Sequence, residues 1–257
     1  MTRDALLSLH VPGSPLLIPN PWDVGSARLM QSLGAKALAT TSAGFAATLG
    51  HLDGNVTLEQ VLMHCEDVVA GVTVPVSADF ENGFAESLDE VADNYRLAAQ
   101  TGLSGASIED WSGAVLYERA AAVDRVAAAR TSAPGLVLTG RTEGYLRGNP
   151  SLPDAIARLQ AYAEAGADVL YAPGLTDLED VRTLVREVPC PVNVLLLPGM
   201  TIAALADAGV ARVSVGSFLA WSAFGAAATA TQAFLSGDAG WVGAAAAGGQ
   251  AVRGALQ

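Results

Sequence analysis

The chain has 257 residues, 51% of them apolar, and a formal net charge of −12 at pH 7. That length and apolar share suit one large domain with a sizeable core, and the acidic balance argues against nucleic acid or an anionic membrane surface as a partner. Cys65 and Cys190 form neither a disulfide framework nor a metal-ligand spacing, no basic leader precedes an apolar stretch, and no uncharged run reads as long and apolar enough to cross a bilayer, so a cytoplasmic location is expected.

Short apolar runs alternate with stretches of helical periodicity from end to end. Strands are predicted at Leu16–Pro19 and Ala37–Thr41, with Gly34 ending the helix between them. Val74–Asp79 comes next. The following helix puts Leu88, Val91, Tyr95 and Ala98 on one face, with Ser87 as N-cap. Ser104–Ile108 and Leu136–Gly140 follow. A helix opened by Ser151-Leu-Pro-Asp154 carries Ile156, Leu159 and Ala163 on one face, and Gly166 ends it before the strand Asp168–Ala172. Val192–Leu196 and Arg212–Gly216 complete the set, Gly209 standing before the last strand; glycine after the last helical turn is a C-cap signal. Strands alternating with helices predict βαβ units and a parallel sheet. Eight such strands in this length predict a single α/β domain over 1–257, a (β/α)8 TIM barrel. The segment 217–257 is an extra C-terminal helical segment. Within it, Ser217–Leu235 carries Phe218, Leu219, Trp221, Phe224 and Phe234, more aromatic surface than a barrel's outer layer needs. Burial against a partner subunit and packing on its own barrel both stay open.

In barrel enzymes the active site lies at the C-terminal ends of the strands. Those ends read, in order, Asn20 and Asp23; Ser42-Ala-Gly44; Asp79 and Glu81; Glu109 and Asp110; Arg141 and Glu143; Pro173-Gly174; Asn193; and Gly216-Ser217. Asp79 and Glu81, two apart at a strand end, project to the same side. With Glu109 they offer the oxygen donors that a hard divalent cation takes. Helix caps or solvated loop charges are the plainer account, but two acids ending an apolar strand are hard to explain by packing. Arg141 can grip a substrate carboxylate through two parallel hydrogen bonds, or pair with Glu143 or Glu109. Asp53, in Leu49-Gly-His-Leu-Asp-Gly-Asn55, reads by composition as a turn aspartate. Lys36 is the only lysine and precedes the second strand, which speaks against a Schiff-base mechanism. His10, His51 and His64 make no zinc set, and there is no Gly-rich loop of the dinucleotide or P-loop type.

The pieces Ile18-Pro-Asn-Pro-Trp-Asp-Val-Gly-Ser-Ala-Arg28, Thr41-Ser-Ala-Gly44, Leu49-Gly-His-Leu-Asp53, Ala78-Asp-Phe-Glu-Asn-Gly83, Ser107-Ile-Glu-Asp110, Gly140-Arg-Thr-Glu143 and Pro191-Val-Asn-Val194 together resemble the isocitrate lyase / phosphoenolpyruvate mutase superfamily, over nearly the whole chain. Their order and spacing make the resemblance specific. It implies a barrel that assembles as a homo-oligomer, a dimer or tetramer, with the eighth helix swapped between subunits. It implies Mg2+, or Mn2+ as a substitute, held by Asp79, Glu81 and Glu109, partly through water. Ser42, Ala43 and Gly44 then bind a substrate carboxylate, Asn193 joins the substrate-binding set, Asp53 stands beside metal and substrate as a catalytic group, and Arg141 binds the oxyacid. The implied chemistry makes or breaks a C–C or P–C bond next to a carboxylate, through an enolpyruvate-like species, on a small carboxylate or phosphonate.

The chain also departs from that pattern. The lyases' Lys-Lys-Cys-Gly-His loop, with its acid Cys, is replaced by Asp110-Trp-Ser-Gly-Ala-Val-Leu-Tyr-Glu-Arg119, which also lacks the Lys and Asn of the mutases. Pro173-Gly174 stands where the lyases place a Glu. Tyr117, Glu118 or Arg119 can supply the missing acid if this loop closes over the site. The resulting reading is an Mg2+-dependent carbon–carbon lyase acting on a small 2-oxo or 2-hydroxy acid. A P–C mutase or hydrolase, an oxaloacetate-type decarboxylase or hydrolase, and an inactive carboxylate-binding barrel are the alternatives.

Overall fold

The computed structural model describes residues 2–257. The chain opens with a short helix, α1 (Arg3–Leu7), followed by β1 (Leu16–Ile18), α2 (Val24–Ser32), β2 (Leu38–Ala39), α3 (Ser42–Thr48) and α4 (Leu58–Gly71). Next come β3 (Val76–Ala78), α5 (Leu88–Gln100), β4 (Gly105–Glu109), α6 (Arg119–Ser132), β5 (Val137–Arg141) and α7 (Leu152–Glu164). The last part holds β6 (Val169–Tyr171), α8 (Leu178–Glu187), β7 (Val192–Leu195), α9 (Ile202–Asp207), β8 (Arg212–Ser214), α10 (Phe218–Leu235) and α11 (Val242–Ala255).

The strands form one parallel sheet in the order β1-β8-β7-β6-β5-β4-β3-β2. Between β1 and β2 the wall is completed by two bonds: Ala39 N donates to Pro19 O at 3.2 Å, and Asn20 Nδ2 donates to Thr40 O at 3.2 Å. The result is a nearly closed (β/α)8 barrel. Every strand expected from the apolar runs is present, trimmed where its end peels into a loop. Ser87 and Ser151 cap α5 and α7 as expected, Ser87 in a reciprocal box with Glu90. Gly34, Gly166 and Gly209 lie at φ 97, 104 and 83, the left-handed conformation that ends a helix cheaply only with glycine.

The barrel is shut at its N-terminal end. Leu6 of α1 is wholly buried and packs with Leu16, Ile18, Ala37, Ala39, Val137 and Val169. Asp168 holds this floor in place, accepting from Arg3 Nη2 at 2.5 Å, Arg130 Nη1 at 2.8 Å and Leu138 N at 2.9 Å. A substrate can therefore enter only from the C-terminal ends of the strands.

α10 leaves its aromatic face open: Trp221, Phe224 and Phe234 are exposed, and Ala220 is its one buried residue. α11, the second helix of the expected C-terminal helical segment, lies against α2. α10 also corrects one expectation. Its 18 residues carry no charge and reach a mean hydropathy of 1.2, so by length and composition alone it meets the minimum for a membrane span.

Gly105 shows how tight the floor is. A Cβ there would lie 2.8 Å from Val137 O and 3.0 Å from Leu6 Cδ2. Gly105→Ala is expected to cost about 1–3 kcal/mol, the range of an overpacked core, read as a lower urea midpoint at unchanged m-value. An unaltered midpoint would show that the floor yields freely.

Candidate active site

Asp79 follows the last residue of β3. Its amide donates to Thr40 Oγ1 at 3.0 Å, and its carboxylate accepts from Ser42 N at 3.2 Å and Ser107 Oγ at 3.5 Å. The two strands flanking β3 thus fix it, β2 through Thr40 and Ser42 just beyond its end and β4 through Ser107. The chain then turns sharply, with Glu81 at φ 45 and Phe84 at φ 54. Non-glycine residues in this region cost roughly 1–3 kcal/mol and persist only where the surroundings enforce them. Here Phe80 is wholly buried, edge-on to Phe84 and Tyr95, with ring centroids 5.2 Å away in both cases. Asn94 Nδ2 donates to Gly83 O at 2.9 Å, and Arg125 Nη2 to Asn82 O and Ala85 O at 2.6 Å. Glu109 N donates to Glu81 O at 3.0 Å, tying the strained turn to β4.

Glu109, the last residue of β4, pairs in register with Arg141, the last of β5. Arg141 Nε lies 2.5 Å from Glu143 Oε1 and 3.4 Å from Glu109 Oε2, and its Nη1 lies 3.5 Å from Asp79 Oδ1. Asp110, adjacent to Glu109, points the other way, as the strand pleat requires. It accepts from Thr142 Oγ1, Glu143 N and Tyr162 Oη, each at 2.7 Å, and pairs with Arg158 Nη1 at 3.2 Å. It is a buried anchor.

A cavity of about 490 Å3 opens above this cluster, lined by Ser42, Asp53, Glu81, Glu109, Trp111, Arg141 and Arg147 among others. Arg147 stacks over Trp111 at 4.6 Å and reaches Glu143 Oε2 at 3.2 Å. Arg141 also lines a smaller cavity beneath, together with Asp79. Burial, then Asp79 and Asp53, push the Glu81 carboxyl up to about 8. Burial pushes Glu109 up to about 8 as well; Arg141 pulls it down, and Glu143, Asp79 and Glu81 push it up. Asp53, on an exposed loop at the cavity mouth, is raised by partial burial and by Asp79, with the Ser42 hydroxyl pulling the other way. The acids thus exceed the positive charge that Arg141 can offer them.

This donor set suits a hard cation. Among the described residues no three acid, cysteine or imidazole side chains converge as a ready-made metal shell.

Of the residues expected at the site, Ser42, Asp53, Glu81, Glu109 and Arg141 line the upper cavity, and Asp79 lies just beneath. Ala43 and Gly44 stand behind Ser42. A Cβ on the buried Gly44 would meet Thr41 Cγ2 at 2.6 Å and Trp22 Cβ at 3.2 Å, so its glycine serves packing. Asn193 faces the lower cavity, donating from Nδ2 to Ser214 Oγ at 3.0 Å. Tyr117 is not brought to the site. Asp110 O and Arg158 Nη1 hold its backbone at 2.8 and 2.9 Å, Trp111 pairs with Leu116, and its half-buried ring packs on the core under Arg125 at 4.5 Å, lining a neighbouring groove that shares Asn82, Phe84 and Ser112 with the cavity. Sequence reasoning passed over Trp111, Arg147, and Tyr171, whose ring lies 5.3 Å from the Arg141 guanidinium. Only Tyr171 carried a signal, its place at a strand end.

An eight-stranded parallel barrel with an arginine embedded among carboxylates at the strands' C-terminal ends has the layout of a (β/α)8 barrel enzyme, whose active site lies at that face. Residues 6–235 match the family model described as phosphoenolpyruvate phosphomutase. The chain belongs to that family. It is 36% identical over 231 residues to an uncharacterised protein of Mycobacterium tuberculosis, covering 90% of this chain and 88% of the relative. It is 31% identical over 209 residues to the 2-methylisocitrate lyase of Escherichia coli, covering 72% and 70%. Among solved structures, a lyase/mutase candidate from Burkholderia cenocepacia J2315 superposes with a TM-score of 0.87 at 45% identity, covering 90% of this chain and 87% of that one. A phosphonopyruvate hydrolase solved with oxalate and Mg2+ shares the fold, with a TM-score of 0.84 at 22% identity and coverage of 95% and 91%. Lyases, mutases and hydrolases of small carboxylates thus share this architecture.

The raised carboxyls predict a pH dependence. In the unfolded chain Glu81 and Glu109 ionise near 4.5, and in the folded, metal-free protein near 8. Protonated, each leaves stability intact below the lower value, and that stability is lost as pH rises through the upper one. The metal-free protein is therefore expected to weaken between about pH 5 and 8.5, with excess Mg2+ reversing the slope. Urea midpoints across that range check it, and a flat metal-free profile would show that these two carboxyls ionise alike in the folded and unfolded chain.

Proposed function

We propose that this chain is an Mg2+-dependent lyase-type enzyme that cleaves, or forms, a C–C bond next to the carboxylate of a small 2-oxo or 2-hydroxy acid, through an enolpyruvate-like species. The observation that carries this reading is Arg141, held among Asp79, Glu109 and Glu143 at the base of a cavity whose other acids, Asp53 and Glu81, make no ion pair among the described residues. Asp79, with Glu81 and Glu109 partly through water, would hold Mg2+, which would supply a positive charge to offset an oxyanion forming beside the carboxylate. Glu143 fixes the Arg141 Nε edge, which leaves its Nη atoms to meet the 2-oxo or 2-hydroxy oxygen. The Ser42 hydroxyl and the Ala43 amide receive the carboxylate. Asp53, raised in pKa and facing the cavity, holds and delivers the proton that the lyases draw from their loop Cys.

A phosphonate substrate is the second reading. Arg147 beside Arg141 puts two guanidiniums on one cavity wall, which suits a doubly charged group.

The test is thermal unfolding with Mg2+ across 2-oxo, 2-hydroxy and phosphono acids, with proton and phosphorus NMR of each mixture. Oxalate with Mg2+ is expected to raise the midpoint, and Asp79→Ala to abolish that rise. Arg141→Lys is expected to lower kcat/KM by about 100-fold or more, as for loss of an oxyanion donor. Pyruvate or glyoxylate as product identifies the C–C reaction, and a new phosphorus resonance the alternative. Binding without turnover of any acid would leave an inactive barrel.

Assembly belongs to the same proposal. An apolar groove of about 460 Å3 on the outer wall, lined by Leu17, Met30, Leu196, Ile202 and Leu219, leaves Leu17 52% exposed. The exposed face of α10 suits the equivalent groove of a second copy, giving a homo-oligomer. Trp221→Asp with Phe224→Asp is expected to yield monomers by light scattering. Wild-type protein that is itself monomeric would end this part of the proposal.

A further inference from the structure

The smaller cavity beneath the rim, about 50 Å3, is lined by Arg212 and Arg141 with Asp79, Tyr171, Asn193 and Ser214, so two guanidiniums face it against one carboxylate, which Arg141 already meets. The sheet brings these residues together. Glu109 pairs in register with Arg141, Arg141 with Tyr171, Tyr171 with Asn193, and Asn193 with Arg212. In-register residues of parallel neighbours share a face, and barrel strands tilt against the axis, so such a row winds from the rim down into the lumen. Arg212 is the inner end of the row that begins with Glu109 and Arg141.

Arg212 is 5% exposed. Its Nη1 donates to Thr139 Oγ1 at 3.3 Å, while its Nε has no partner among the described residues. Among those residues it also makes no ion pair with a carboxylate. Burial pulls it down only to about 10, so it stays charged at neutral pH. His10 nearby is neutral, held down to about 4 by burial and by Arg212 itself. Asp168, the acid on that side, is already shared by Arg3 and Arg130. A buried guanidinium without a counter-charge is costly, and here it faces a cavity with room for a few heavy atoms. Asn193 Oδ1 is likewise without a partner there.

We infer that this cavity is an anion subsite, in which Arg212 receives the far carboxylate of a dicarboxylic substrate whose 2-oxo or 2-hydroxy acid end is held at Arg141. The inference rests on the proposed function for the end bound at the rim. A monocarboxylate would leave Arg212 without its counter-charge, and that difference selects the diacid. A free inorganic anion such as chloride satisfies the same donors and is the competing source.

Calorimetric titration of the full-length protein with Mg2+ separates these cases. Oxalate has nothing beyond its chelating end; malate and 2-oxoglutarate carry a second carboxylate one and two methylenes further on. In Arg212→Met, oxalate affinity is expected within about twofold of wild type, and the better diacid is expected to weaken by at least about thirtyfold, the effect of removing one partner of a buried charge pair. Arg212→Lys should fall between, and carries the comparison alone if the Met variant does not fold. The ligand-free unfolding midpoint of Arg212→Met should equal or exceed that of wild type, since an apolar chain replaces an unpaired charge. Equal loss for oxalate and diacids, or a lowered midpoint, overturns the inference in favour of a structural arginine. Unchanged diacid affinity overturns it too, and chloride that stabilises wild type but not Arg212→Met would then name the anion as inorganic. Wild-type protein that binds oxalate but no diacid defeats the lumen subsite alone. Wild-type protein that binds no acid at all defeats the rim reading together with it.

Discussion

A single guanidinium among too many carboxylates organises this molecule. Arg141 touches Asp79, Glu109 and Glu143, and Glu81 and Asp53 stand close enough to be raised by the same crowding. Buried like charges repel strongly where the local dielectric is low, so Glu81 and Glu109 hold their protons more tightly than free carboxyls do, and the cluster favours a cation. Most of the surrounding architecture serves that arrangement. The left-handed turn at Glu81, the buried Phe80 and the Arg125 bonds to three carbonyls hold one acid in a conformation its backbone disfavours. Asp110 anchors the loops behind Arg141 by taking hydrogen bonds from two side chains, one amide and an arginine.

The barrel gives this cluster a direction. Its floor is sealed by α1 and its mouth lies where the strands end, so the polar groups that line the cavity share one entrance. The in-register row from Glu109 to Arg212 gives the lumen a charged outer end and a charged inner end, with Tyr171 and Asn193 between them. Ligand length is then measured along the barrel axis and not only across its mouth.

Much of this was legible in the residues. Alternating apolar runs and helix-capping glycines disclose eight βα units, because strand burial and left-handed caps are local properties. Asp79, Glu81, Glu109 and Arg141 stand out because core packing alone gives no reason to end an apolar strand in a charge. Glu109-Asp110 was ambiguous as a dipeptide, and only the pleat, which sends neighbours to opposite faces, separates a cavity acid from a buried anchor. Tyr117 misled because a loop's closure depends on its own hydrogen bonds, here to Asp110 and Arg158. Arg212 opens a strand and reads as an ordinary polar start; its meaning depends on register across four strand pairs, which no local pattern encodes. The exposed face of α10 was visible as excess aromatic surface, but its hydropathy as an uncharged helix was underestimated, since alanines blur the edge between polar and apolar runs.

The floor has a consequence for how the chain assembles. Arg3 meets Asp168 across a separation of 165 residues, and β1 finds its sheet partner only in β8. α1 must therefore wait until the chain has been made through Asp168 before it can dock, and β1 until β8 has been made before the wall beside it closes. Contacts of such high order are entropically slow to form. Barrel closure from below is thus a late folding event, and a nascent chain exposes Leu6 and the inner faces of its early strands until the ribosome has passed Asp168.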